Sequence, residues 1–438
     1  VDGEHHPAAT LDAVRELEGR ENWRPIGLYF LGGGEKLEDL SQLDLEEAEL
    51  IVPHDPLSDL YPTLLRLKPQ LVVDLSDLPV LGPAQRLHLA ARALAAGAVY
   101  RGSDFEFRPP RFEQVLTKPS CAIIGTGKRC GKTAVSAEMA RYLAREGQPP
   151  VIVAMGRGGP PQPHILGEER ITGDFLLQET EKGRHAASDH YEDALITGVI
   201  TVGSRRCGGG LAGEPFVTNC VDAAVLADGL PGELVIMEGS GSSIPPVMTD
   251  AGICVISAAQ DLEEALGYLG AYRLLISDGV IITMAEEPFA SPSHIKELER
   301  RINQVYGEIS IVKTIFRPHP LKPIRGKRTF LVCTASEAAG EILEGYLQES
   351  EDCQVVGRSH NLSDRINLCK DLQKAEEAEI LLTELKAAAV DVVAGFARER
   401  GKELIYFHNR TVGLGQEDDI ERFFLHMRDL AVSKHAEQ

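Results

Sequence analysis

A multi-domain α/β fold is what this sequence predicts, on three observations. Short apolar runs alternate with helix-like stretches along nearly the whole chain, the rhythm of strands and their covering helices. At 438 residues and 43% hydrophobic content there is core enough for two or three domains. A Gly-rich run at 125–133 lies between an apolar stretch and a helix-like one, the order in which a phosphate cradle is built. The expected arrangement is a central P-loop domain with a mostly parallel sheet at 119–330, flanked by smaller α/β domains at 1–118 and 331–438.

The N-terminal part carries the first of these rhythms. Its first ten residues, with His5 beside His6, read as a loose polar end, and a start at Val1 rather than Met reads as a processed or trimmed terminus. Runs at 26–31, 50–52 and 70–75 are expected strands, 84–96 an Ala-rich helix, and 98–100 a further strand. Gly32-Gly33-Gly34 lacks the G-x-G-x-x-G frame and its acidic partner, so it reads as a turn. A polar stretch with Pro109, Pro110 and Pro119 then breaks the pattern and reads as a linker.

The phosphate loop follows the strand-like run 121–124 and opens a helix at 134–145. Gly125, Thr126, Gly127, Lys128, Arg129, Cys130, Gly131, Lys132 and Thr133 form a variant of G-x-x-x-x-G-K-[ST]. Its first glycine stands one residue early, so the loop is one residue longer. Backbone N–H groups and the helix N-terminus would surround nucleotide phosphates, Lys132 would reach the β and γ phosphates, and the Thr133 hydroxyl would hold Mg2+. Lys128 and Arg129 project where they could neutralise the γ phosphate or an acceptor, one of them being merely solvated. Cys130 reads as a small filler rather than a redox switch.

Further strands are expected at 151–154, 234–237, 253–257, 280–284 and 309–315, and ligands of such sheets sit beyond the carboxyl ends of strands. There Glu238 is the natural second anchor for Mg2+, and Gly239 and Ser240 after it let backbone approach a ligand. Asp174 is either a further metal ligand or the cap of a following helix. Arg205 and Arg206 precede Gly208 and Gly209, pairing bidentate donors with exposed backbone N–H groups. Arg157 lies in another Gly-rich turn, so all three are candidate binders of a small, multiply charged anion. Lys132, Lys128, Arg205 and Arg206 are the candidate catalytic cations.

The densest positive stretch, 317–328, is stiffened by prolines and reads as an ordered loop after a strand. Phe316, Arg317 and Pro318 either contact a nucleotide base or belong to a solvated interdomain link. No N-K-x-D motif follows 280–284, which favours ATP over GTP. Asp189-His190-Tyr191 reads as an exposed helix face, and His164 as a loop histidine without a partner. In the C-terminal part, strands are expected at 330–333, 353–356 and 403–407 and a helix at 335–347. Lys386 and His408 are its only candidates to reach a ligand, and both read as structural or surface residues.

Charge and cysteine usage bound the function. A formal net charge of −21 without a long basic stripe argues against nucleic-acid and anionic-membrane partners, and no uncharged apolar run is long enough to span a bilayer. A cytoplasmic protein is expected. Eight scattered cysteines without C-x-x-C spacing point to reduced thiols rather than a disulfide framework or zinc site.

The pairing of the loop 125–133 with Leu234-Val235-Ile236-Met237-Glu238-Gly239-Ser240-Gly241 resembles the dethiobiotin synthetase branch of P-loop enzymes over about 119–330. That likeness implies phosphate-loop roles for Gly125, Gly131, Lys132 and Thr133, a metal role for Glu238, and an equivalence of Asp174 with the Asp of the family's N-S-D segment. The substrate-handling Lys-Pro after the second strand is missing; Met155-Gly156-Arg157-Gly158-Gly159-Pro160 stands there. With Gly203-Ser204-Arg205-Arg206-Cys207-Gly208-Gly209-Gly210, Phe316-Arg317-Pro318-His319-Pro320 and the run 383–391, nearly the whole chain resembles the cyclic 2,3-diphosphoglycerate synthetases. That resemblance implies ATP and Mg2+ as cofactors, 2,3-bisphosphoglycerate as substrate, a cyclic anhydride as product, and a homodimer. The alternatives are a dethiobiotin-type ligase, a 2-phosphoglycerate kinase, or a nucleotide-switched binding module. The last would have a Lys in place of Gly127 or a Cys/His cluster.

Overall fold

A computed structural model describes residues 1–3, 5–32, 48–167, 169, 171–385, 388–415 and 418–438. Gly33, Gly34 and Lys386, weighed above, lie outside these. Two compact units emerge, one formed by Val1–Arg111, Gln260–Ser277 and Lys296–Ile309, the other by Phe112–Ala259, Asp278–Ile295 and Ser310–Gln438.

In the first unit α1 (Pro7–Glu21) precedes β1 (Gly27–Tyr29), β2 (Glu49–Ile51), α2 (Leu60–Leu67), β3 (Leu71–Val73), α3 (Pro83–Ala95), β4 (Val99–Arg101) and β5 (Glu106–Phe107). β1 and β2 form a parallel pair, and β3, β4 and β5 a separate small sheet. The first residues are not loose. The Val1 amine donates to the Val73 carbonyl at 2.6 Å, and buried Asp2 accepts from the Thr10 hydroxyl at 2.6 Å. His6 caps α1 through its ring nitrogen.

In chain order there follow β6 (Ser120–Gly125), α4 (Lys132–Arg145), β7 (Val151–Gly156), β8 (His164–Leu166), α5 (Gly173–Glu181), α6 (Asp189–Thr197), β9 (Thr201–Cys207), β10 (Val217–Thr218), α7 (Cys220–Asp228), β11 (Val235–Glu238) and β12 (Ala251–Ser257). Two short helices of the first unit intervene, α8 (Leu262–Leu266) and α9 (Gly270–Leu275). Next come β13 (Gly279–Thr283), α10 (Pro292–Tyr306), β14 (Ser310–Pro320), β15 (Arg328–Val332), α11 (Glu337–Glu351), β16 (Gln354–Ser359), α12 (Arg365–Leu372), β17 (Ile380–Thr383), α13 (Val390–Arg400), β18 (Glu403–Gly413) and α14 (Asp418–Ala436).

The second unit is built on a thirteen-stranded sheet in the order β10-β9-β7-β11-β6-β12-β13-β14-β18-β17-β15-β16, with β8 on β9. From β9 to β14 every neighbour is parallel, and so is every neighbour from β18 to β16. One antiparallel pair, β14 with β18, joins the two runs. β6 is buried at every residue, as a central parallel strand covered on both faces must be.

Three departures from the sequence reading have physical causes. β14 does not end near 315 but runs to Pro320, because β18 pairs with it as far as Pro320↔Phe407. Beyond Lys313 it has left β13, so Pro318 and Pro320 cost no ladder bond on that free side. Arg205 and Arg206 belong to a strand, β9, rather than to the glycine turn that follows them, since β7 and β8 both pair with that strand. The terminal helix α14 was not anticipated. Its Ile420, Phe423, Phe424 and Met427 follow helical spacing and pack with Cys121, Ile123 and Met139 around β6 and α4. The expected boundary at 330/331 falls within β15 of this sheet. Among the described residues no helix is long and apolar enough to cross a membrane.

Candidate active site

The Gly-rich run turns out of β6 into α4 as expected. Gly131 takes φ +95° at the N-cap, a conformation favouring glycine, and a Cβ there would stand 2.4 Å from the Phe316 ring. Gly125 has no room for a side chain either, with Cys130 Sγ at 2.5 Å from its Cβ position and the Val255 carbonyl at 3.0 Å. Cys130 is buried, and its thiol donates to the Gly127 carbonyl at 3.3 Å, so it fills the loop from inside. Thr126 anchors the loop by donating its N–H to Val255, and Thr283 donates its hydroxyl to the Cys130 carbonyl. Lys128 and Arg129 are exposed, and Arg129 adopts φ 64°, an uncommon conformation of the kind that clusters at ligand sites.

β11 lies in register beside β6, with Glu238 opposite Ile123. That pairing carries Glu238 to the start of α4, where the Thr133 hydroxyl donates to Oε1 at 2.6 Å. Lys132 Nζ donates to the carbonyls of Gly127 at 3.0 Å and Gly241 at 2.8 Å. The loop after Glu238 is a tight turn in which Ser240 and Ser243 exchange backbone bonds and Gly241 takes φ 60°.

Arg206, only 7% exposed, donates to the Ser240 carbonyl at 2.8 Å and the Gly208 carbonyl at 3.1 Å. Arg157 and Arg206 each bring a guanidinium nitrogen to 3.1 Å from where a Gly241 Cβ would stand. Burial, and then the charge of Arg157, lower the pKa of Arg206. Gly208 makes the turn at φ +73°, and Gly209 lies against Ser243 and Arg206. Lys132, Arg157, Arg206, Gly208, Gly209, Gly239 and Ser240 are thus brought together as the sequence suggested.

Arg205 is not with its neighbour. Successive side chains of a strand point to opposite faces. Arg205 instead donates from Nε to the Gly159 carbonyl at 3.0 Å.

Asp174 lies elsewhere too. Thr172 caps α5, α5 packs on α13, and Asp174 in its first turn acts electrostatically on Tyr406 of β18. An acid of α6 acts on Glu238: Asp193, fully buried, which also feels the charges of Glu192 and Asp189 on its own helix. Burial and the charge of Glu238 raise the pKa of Asp193. Helix α6 is therefore no exposed face; it packs on α4, β7 and β9 with His190, Tyr191 and Asp193 inside. The signal was the i, i+4 spacing of Asp189 and Asp193, but nothing local says that this stripe faces inward.

His164 likewise has a partner. Arg184 donates to its Nε2 at 3.1 Å, so Nδ1 carries the proton toward His190 Nε2 at 3.1 Å, and His190 Nδ1 meets Ser188 Oγ at 2.8 Å. His408 is no surface residue: it is buried within β18, 3.4 Å from an Arg141 nitrogen. Burial, and then Arg141, pull its pKa down to about 3. Phe316 covers Gly131 at the loop, whereas Arg317 is held by a bidentate pair with Glu286 and lies over the Tyr346 ring, and Pro318 is buried in β14. Among the described residues no cluster of three or more His, Cys, Asp or Glu side chains is arranged to hold a metal by itself.

Comparison with known proteins matches three family descriptions along the chain. "Cyclic 2,3-diphosphoglycerate synthetase, N-terminal domain" covers residues 1–108, the "P-loop domain" of the same family 120–315, and its "C-terminal domain" 320–410. A cyclic 2,3-diphosphoglycerate synthetase of Rubrobacter xylanophilus is 47% identical, over 96% of this chain and 95% of its own length. One of Methanothermobacter thermautotrophicus is 41% identical over 99% of this chain and 96% of its own. One of Methanothermus fervidus is 41% identical over 94% of this chain and 92% of its own.

Proposed function

The chain belongs to the cyclic 2,3-diphosphoglycerate synthetase family, and from that premise we propose that it uses ATP to close 2,3-bisphosphoglycerate into its cyclic intramolecular anhydride, releasing ADP and phosphate. One observation carries this reading: Lys132, Arg157 and Arg206 converge on the turn at Ser240 and Gly241 beside the Thr133–Glu238 pair. A cluster of cations with a hydroxyl and a carboxylate at its edge suits transfer between phosphates.

Thr133 and Glu238 offer hard oxygens of the kind Mg2+ takes and would hold it, and when bound it neutralises charge on the β and γ phosphates. Lys132 would exchange its two carbonyl partners for phosphate oxygens, and Arg157 and Arg206 would orient the acceptor phosphate. An oxygen of that phosphate attacks the γ phosphorus in line, and the bond to the ADP oxygen breaks. An oxygen of the neighbouring substrate phosphate then attacks the activated substrate phosphorus. Inorganic phosphate leaves with the former γ phosphorus, and the ring closes. No strong base is needed, because each attacking oxygen is already an anion. Alignment and charge neutralisation supply the rate. The enzyme would act as a cytoplasmic homodimer, the state the resemblance implies; sedimentation velocity reads its mass directly.

The decisive assay follows ADP release and products by phosphorus NMR with 2,3-bisphosphoglycerate, 2-phosphoglycerate and 7,8-diaminononanoate as acceptors. Cyclic anhydride from the bisphosphate alone, with γ-phosphate label recovered in inorganic phosphate, is expected. Turnover of 2-phosphoglycerate alone would make the protein a kinase, and no acceptor stimulation would make it a nucleotide-switched module. Label retained in the cyclic product would overturn this order of steps.

A further inference from the structure

We infer that the cleft on the Arg205 side of β9 is a second anion subsite, which holds the substrate phosphate that is not being activated; this rests on the bisphosphate reading above. The cleft is lined by Arg157, Arg184, Arg205, His185, Ser188 and His190, with the glycine turn 158–159 as its edge. Arg205, Arg184 and His185 are each aimed by a separate contact. Arg205 is held by the Gly159 carbonyl, and the turn can lie that close to β9 because residue 159 is glycine: a Cβ there would stand 1.8 Å from the Ser204 carbonyl oxygen. Arg184 is held by Glu179 at 2.6 Å and by His164 at 3.1 Å. The His185 ring packs on Gly158, and its Nδ1 accepts from the Ala187 N–H at 3.1 Å, which leaves Nε2 as a donor.

The charges do not cancel. Glu179 is satisfied by Lys182, Arg184 and the Tyr191 hydroxyl at 2.6–2.8 Å. Asp189 stands over Gly156, where it acts on Arg206. The His164–His190 pair, of which His190 lines the cleft, is neutral: the hydrogen-bond order from Arg184 to Ser188 uses one proton per ring, and burial keeps His190 from taking another. Three guanidinium groups around one cleft are the arrangement a phosphate dianion takes, through several charge-assisted bonds at once. Arg157 belongs to both places, since it lines this cleft and also reaches Gly241 beside Arg206. Two sites sharing an arginine fit two phosphates on neighbouring carbons, and a monophosphate fills only one.

The test is calorimetric titration of the full chain with 2,3-bisphosphoglycerate, 2-phosphoglycerate and ADP, for wild type, Arg205→Gln and Arg206→Gln. Wild type should bind the bisphosphate more tightly than the monophosphate. Arg205→Gln should weaken the bisphosphate by about 10- to 100-fold, the worth of a charge-assisted contact, and leave 2-phosphoglycerate and ADP unchanged. Arg206→Gln should weaken both phosphate ligands. Wild-type bisphosphate affinity in Arg205→Gln overturns the subsite and leaves the cyclisation reading standing, as does equal weakening of both phosphate ligands. A wild type with no preference for the bisphosphate overturns that reading itself. Unchanged ADP binding by Arg205→Gln shows that the variant is folded.

Discussion

The Thr133 hydroxyl and the Glu238 carboxylate are bonded at 2.6 Å although 105 residues separate them. The parallel register of β11 on β6 is what closes that gap, since it sets Glu238 opposite Ile123 at the root of the phosphate loop. A carboxylate so placed accepts from the hydroxyl now and can turn to a cation when nucleotide arrives. Glu238→Gln keeps the size and one acceptor but removes the charge. It should lower turnover with Mg2+ by about 100-fold or more while metal-free ADP affinity stays at the wild-type value. Turnover within a factor of a few of wild type would remove Glu238 from the machinery.

Gly131 and Phe316 make a sharper test of the loop. A Cβ at Gly131 meets the ring at 2.4 Å, and φ +95° disfavours any L side chain whatever the space. Gly131→Ala should therefore cost about 1–3 kcal/mol of local strain and weaken ATP binding. Phe316→Ala in the same chain removes the collision but not the backbone strain, so the double variant should recover only part of the loss. Full recovery would mean that the clash alone mattered, and none would mean that φ alone did. Nucleotide titration of the four proteins separates these outcomes.

What was legible in the sequence was what is local. Gly125 to Thr133 announce their geometry because each residue's role depends on neighbours in the chain. Glu238 was visible as an acid at a strand end, which the sheet order then explains. Arg205 and Arg206 were visible as cations but not as strand residues. The turn at Gly208 suggested a loop, and only pairing with β7 and β8 sends their side chains apart. Asp193 and the His164–His190 pair were out of reach because their meaning is tertiary: α6 looks amphipathic either way round, and packing on α4, β7 and β9 decides which side is buried. Asp174 had the right letters after Thr172 and Gly173, yet α5 docks on α13, a partner more than two hundred residues away that no short window contains.

Buried histidines give the fold an acid limit that can be measured. His190 and His408 are each held neutral, with pKa pulled down to about 3, chiefly by burial; nearby cations and histidines, Arg141 and His319 for His408, His164 and Arg184 for His190, add to it. Unfolding returns each imidazole to its ordinary value near 6.5. Between those limits the unfolded chain binds more protons than the folded one. Stability is thus complete above pH 6.5 and falls as pH drops toward 3, by about 1.4 kcal/mol per pH unit for each ring. From pH 7 to 5.5 ordinary carboxylates have not begun to titrate, so the slope there comes from the histidines and, with opposite sign, from the raised carboxyl of Asp193, which a substitution at His408 leaves in place. His408→Gln keeps an acceptor at the reach of Nε2, where Arg141 meets the ring, but cannot take a proton. Its urea-unfolding free energy should fall less steeply than that of the wild type, by about 0.6 of a proton's worth averaged over that range. Parallel slopes would mean that His408 takes up its proton in the folded chain as it does in the unfolded one; a variant that falls more steeply than the wild type would mean that the folded chain already holds that proton.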